Sequence, residues 1–145
     1  MIDDRDAVID DRGAVDSMAP SAPLAVEWLS PEGVDPMDEA AGPIAIVRFC
    51  GEIDLNVAPV LRDSVLRETA QAAVVVIDLS SISFLDSAGV RLFDSLVGAY
   101  ERGQLPFRLV APVQGVARFT LKLCAFRADL IEESIQEALA ALKPV

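Results

Sequence analysis

Apolar residues, most of them β-branched, run without interruption from Ala73 to Ile77, a pattern that predicts a strand buried on both faces. Asp78, Ser80 and Ser81 then end the run with side chains that bond locally to backbone, which predicts a turn. Phe84 and Leu85 return to apolar character, and Asp86-Ser87 place short oxygen-bearing side chains where a helix should begin. Beyond them Val90, Leu92, Phe93, Leu96, Val97 and Tyr100 fall on one stripe at about 100° per residue. Ser87, Arg91, Asp94 and Gly98 share the opposite face. A serine therefore sits at the mouth of a helix, on its solvent side, directly after a buried strand.

The same reading extends along the chain. Residues 1–23 hold the near-repeats DDRDAV and DDRGAV and then SMAPSAP, and predict a disordered or weakly helical acidic leader. Leu24 to Leu29 alternates well enough for an edge strand, and a proline-, glycine- and acid-rich loop from Ser30 to Pro43 joins it to a second strand, Ile44 to Ile53. Asn56 is the expected N-cap of a helix that runs to about Gln71, with Pro59 in its first turn and Val57, Ala58, Leu61 and Val65 inward. Phe107 to Ala111 predicts a third buried strand. A helix from about Gln114 to Phe126 follows, expected to bury Val116, Phe119, Leu123 and Cys124. Leu130-Ile131 is a short last strand, and Ser134 with Glu137 forms a capping box for a final helix that turns Ile135, Leu139 and Leu142 inward.

The order β-β-α-β-α-β-α-β-α predicts an α/β domain with a mostly parallel mixed sheet, an antiparallel first strand and about four helices. In such a sheet the loops after the carboxyl ends of the strands gather on one edge. Asp54, Asp78, Asp86 and Ser87 all follow predicted strands and are expected to converge there.

A chain of 145 residues fits one domain with a real core. The net charge of −11 is unevenly spread: residues 1–43 hold 11 acids and 2 bases, residues 44–145 hold 12 acids and 10 bases. The fold is close to neutral, and without a basic patch direct nucleic-acid binding is not expected. No secretory signal or membrane-length apolar run is present, so a soluble cytoplasmic protein is expected. The chain has no histidine, which removes serine–histidine and cysteine–histidine catalysis, most zinc sites and histidine phosphorelay. Cys50 and Cys124 lie among apolar residues and read as buried free thiols.

Two blocks carry a family resemblance. GEIDLNVAPVLRDSV (51–65) and VVVIDLSSISFLDSAGVRLF (74–93) resemble the two distinctive segments of the bacterial STAS-domain proteins that act as anti-sigma factor antagonists. The resemblance spans residues 24–142, a single STAS-type domain, and leaves the leader uncovered. It implies a partner switch. An anti-sigma factor of the serine-kinase type would bind either its sigma factor or the unphosphorylated antagonist. It would inactivate the antagonist by phosphorylating Ser87, and a separate protein phosphatase would restore it. Asp54, Asp86 and Gly89 would belong to the partner-binding surface, Gly89 by letting a partner's loop approach the backbone. Val90 stands where leucine is usual, and Arg91 adds a base to the exposed face. Apart from the resemblance, the helix pattern leads to the expectation that Arg91, Asp94 and Gly98, sharing Ser87's face, extend the docking surface.

Other readings meet specific obstacles. A response-regulator receiver needs a lysine after a late strand, whereas Lys122 falls mid-helix and Lys143 in the tail. An enzyme using Mg²⁺ between Asp54 and Asp78 lacks a phosphate-cradling glycine loop, and Asp-Ser-Ala-Gly is not a nucleophile elbow. No catalytic activity, metal or cofactor is expected. A sulfate-transporter-type role is set aside for want of a membrane segment, and a scaffold subunit of a larger signalling complex stands as the alternative.

Overall fold

The computed structural model describes residues 23–30 and 42–142. All but the last residue of the expected leader, and most of the expected loop between the first two strands, lie outside the described residues. The elements are β1 (Leu24–Leu29), β2 (Ile44–Ile53), α1 (Ala58–Glu68), β3 (Val74–Leu85), α2 (Ser87–Arg102), β4 (Phe107–Val110), α3 (Val116–Leu123), β5 (Ile131–Glu132) and α4 (Ile135–Leu142). The five strands lie in sequence order, with β1 antiparallel to β2 and every other neighbour parallel. This is the α/β mixed sheet with four helices that the pattern predicts.

Strand order explains the layering. Each parallel crossover steps in the same direction across the sheet, so right-handed connections place their helices on one face. α1, α2 and α3 accordingly share one large core with Phe49, Ile53, Ile77 and Leu109 from the sheet. Phe49 of β2 and Phe93 of α2 meet edge to face at 5.1 Å, a pairing that adds about 0.5–1.5 kcal/mol to the area they bury. α4, the one helix after the last strand, lies over the other face and packs Ala138 on Ile46, Val76 and Val110. Its start keeps the first half of the expected capping box, the Ser134 hydroxyl accepting from the Glu137 N–H at 3.2 Å, while the Glu137 carboxylate accepts at 3.3 Å from the N–H of Glu133, one residue before the cap.

Several sequence expectations are corrected. The chain does not turn at Asp78: β3 continues to Leu85. From Arg48 to Ile53 β2 advances five residues while its partner advances seven, from Asp78 to Leu85, so β3 carries two bulges. The Asp78 carboxylate does bond locally, accepting from the Ser80 N–H at 3.0 Å, but the result is a bulge and not a reversal. α1 is capped by Val57 without a side-chain bond and ends at Glu68.

α3 is rotated relative to expectation. Ala117 and Leu121 are buried, whereas Val116, Phe119 and Leu123 are 45%, 65% and 69% exposed. The small Ala117 sits against the sheet, and Arg118 beside it donates to the Ala111 carbonyl at the end of β4, 2.7 Å away. Both cysteines are free, but Cys50 is half-buried and Cys124, which caps α3, is exposed. The last strand begins at Ile131, with Leu130 in a 3₁₀ turn.

Candidate functional site

Ile53 and Leu85 are register partners at the ends of β2 and β3, so the residues after them, Asp54 and Asp86, leave neighbouring strands on the same edge. The Asp86 N–H donates to the Ile53 carbonyl at 3.4 Å and ties the two exits together. Asp54 closes the turn into α1: its Oδ1 accepts from the Asn56 N–H at 2.9 Å, and its carbonyl accepts from Val57 and Ala58. Asn56 is exposed and is not the cap expected of it.

Asp86 is extended and caps α2, its Oδ1 accepting from the Gly89 N–H at 2.9 Å. Ser87 is therefore the first helical residue, exposed, with its hydroxyl not needed as the cap. The N–H groups of this first turn lack intrahelical acceptors and favour negative charge nearby.

Gly89 is placed differently from its expected role. It is buried, and a Cβ built on it would stand 2.9 Å from the Ile53 carbonyl and collide with the Leu85 side chain. Its missing side chain lets α2 seat on the ends of β2 and β3, so the space faces inward and not toward an incoming loop. Arg91 and Asp94 are exposed on Ser87's side of α2, and Gly98 is half-buried. The buried stripe of α2 is the predicted one.

Asp78 does not join this group. It alternates with Ile77, which faces α1–α3, and so lies on the α4 side of the sheet, 5% exposed. There Arg48 Nε donates to Oδ2 at 3.3 Å, and the Ser80 hydroxyl donates to Oδ1 at 2.7 Å. Arg48 also pairs with Glu27 of β1 at 3.0 Å. A buried carboxylate so satisfied is a structural tie across the strands.

Between the starts of α1 and α2 lies a groove of about 230 Å³. Ala58, Pro59, Ala88 and Leu92 give it carbon surface, while Leu55, Arg62 and Arg91 stand along it. Arg62 is engaged, donating to the Ser95 hydroxyl and pairing with Asp63 at 3.3 Å. The ion pairs among the described residues use Arg48, Arg62, Arg108, Arg118 and Arg127, and not Arg91. Leu55 and Phe84, 66% and 48% exposed, add apolar surface at the strand ends. Sequence reasoning missed both as surface residues. Leu55 was detectable as an apolar residue outside the α1 stripe, whereas the exposure of Phe84 follows from the bulges in β3.

Among the described residues no group of three metal-ligating side chains converges, and no helix is long and apolar enough to cross a membrane. An exposed serine on a capped helix start, beside a shallow groove, is suited to carrying a modification or meeting a macromolecule.

The STAS domain model matches residues 35–138, and the chain belongs to that family. Its fold is that of an anti-sigma factor antagonist from Mycobacterium paratuberculosis, which is 25% identical, with 87% of this chain and 98% of that one covered and a TM-score of 0.59. The Bacillus cell fate determinant SpoIIAA in its phosphorylated form is also similar, at 18% identity and a TM-score of 0.52, over 69% of this chain and 91% of that one. The murine Solute Carrier 26 family member A9 anion transporter shares the fold as well. It is 18% identical over 81% of this chain but only 22% of its own, with a TM-score of 0.61. No curated protein matches the chain at a significant level.

Proposed function

We propose that this protein is an anti-sigma factor antagonist that acts by binding, without catalysis, and that Ser87 is its switch. Unphosphorylated, it engages an anti-sigma factor of the serine-kinase type and so frees a sigma factor. The observation that carries this reading is the exposed Ser87 at the first position of α2, relieved of capping by Asp86 and followed directly by Ala88, which lines the groove together with Leu55 and Arg91. Likeness to the Mycobacterium paratuberculosis antagonist over nearly all of that chain supports it.

In the off step a bond forms between Ser87 Oγ and the γ-phosphorus of a nucleoside triphosphate as the β–γ P–O bond breaks. The nucleoside diphosphate leaves, and the hydroxyl proton passes to a base on the kinase. A protein phosphatase reverses this with water, releasing inorganic phosphate. The new group carries about −1.5 to −2 charges. The helix start tolerates them, so the fold survives. In a docked interface the same charge must be desolvated beside Asp86, Asp54 and Asp94. A penalty of about 3 kcal/mol there lowers affinity about a hundredfold. The reading places the protein in the cytoplasm, with no nucleic-acid or membrane contact of its own.

The test is a pulldown from the native host with wild type, Ser87→Ala and Ser87→Asp as baits. Wild type and Ser87→Ala should retain a serine-kinase-type anti-sigma factor, and Ser87→Asp should lose it. Retention of that factor by all three, or its capture by none, overturns the reading.

A further inference from the structure

We propose that Arg91 holds the phosphate of phosphorylated Ser87 in cis, so that modification withdraws a cation from the groove as well as adding negative charge. The inference rests on Ser87 being the modified residue. Ser87 and Arg91 are four positions apart on one exposed helix face, with the anion N-terminal to the cation, the favourable order for such pairs. The other arginine of the groove, Arg62, is already bound to Ser95 and Asp63, and among the described residues Arg91 takes part in no ion pair. A guanidinium offers phosphate a planar, two-pronged donor that lysine lacks.

One side chain then serves two states. With Ser87 free, Arg91 stands beside the carbon surface of Ala88 and Leu92 and is available to an acidic residue of a partner. With phosphate present, the guanidinium folds back toward the helix start and the pair closes that end of the groove. The phosphate also has Asp86 at the cap and Asp54 at the neighbouring strand exit, with Asp94 two turns along the same face, and these acids raise its second pKa. The helix start lowers it, and the Arg62–Asp63 pair of α1 lies by Ser95, further along α2.

The test uses the full chain with phosphoserine placed at position 87 during synthesis, so that no cognate kinase is needed. Its phosphorus resonance is titrated against pH in wild type, Arg91→Ala and Arg91→Lys. The surrounding acids are common to all three and cancel in the comparison. The midpoint should rise by roughly half a pH unit in Arg91→Ala, with Arg91→Lys in between and thermal stability unchanged. Coincident midpoints in wild type and Arg91→Ala overturn the clamp while leaving the switch standing. A pulldown in which Ser87→Asp still captures the anti-sigma factor overturns the switch and leaves the titration result intact.

Discussion

Arg48 and Asp78 face each other across the β2–β3 ladder, Nε to Oδ2 at 3.3 Å, with the carboxylate almost wholly buried and the guanidinium reaching out to Glu27. Removing only the cation leaves a buried carboxylate held by Ser80 alone. Arg48→Met should cost about 2 kcal/mol in urea unfolding, below the roughly 3–5 kcal/mol of a fully buried broken pair because Arg48 is partly exposed. Arg48→Met combined with Asp78→Asn should cost less than Arg48→Met by itself. Equal or additive losses would show that the two charges do not interact.

Gly89 carries the approach of α2 to the strand ends. Gly89→Ala forces a Cβ against Leu85 and the Ile53 carbonyl, and should destabilise by about 1–3 kcal/mol despite alanine's better helix propensity. Denaturant unfolding checks the size. A neutral or stabilising result would mean that the helix start shifts freely.

Tyr100 supplies a pH dependence. It is the single tyrosine of the chain, buried, with its hydroxyl 2.9 Å from Thr69 Oγ1, which in turn donates to the Val65 carbonyl. Burial raises the phenol above its usual value near 10, and the Thr69 bond opposes that rise. The unfolded chain therefore loses this proton first as pH climbs. The phenol's contribution is fully present below about pH 10 and is lost as pH rises toward the folded value. Tyr100→Phe should flatten this alkaline limb and cost about 1 kcal/mol at neutral pH. Unfolding free energies between pH 8 and about 11 give the comparison.

α3 offers the sharpest contrast between neighbours. Leu121→Ala should cost about 2–5 kcal/mol, whereas Phe119→Ser should change stability by no more than about 0.5 kcal/mol. The reverse ranking in thermal or denaturant melts would restore the face that periodicity suggests.

α2 was legible because it is long and one-sided, with every apolar residue assigned to its stripe buried, and the core of β3 because its apolar run is unbroken. The edge position of Asp86 and Ser87 followed from strand-then-cap chemistry. α3 was not legible, since Val116, Phe119 and Leu123 form one apolar stripe and Ala117 and Leu121 another, and period alone cannot choose between them. Asp78 misled for a related reason. An aspartate followed by serines has the same local chemistry in a bulge as in a turn, and only the partner strand distinguishes the two.

The two surplus residues of β3 are taken up as bulges, so Leu85 still stands opposite Ile53 although β3 reaches that point in two more residues than β2. Excision of one residue between Ser80 and Ser83 that erases one bulge would keep this pairing, and with it the distance from the helix start to Asp54. The spacing of acceptor and neighbouring carboxylate is thus anchored by the partner strand and not by residue count, a slack that a single codon deletion can draw on.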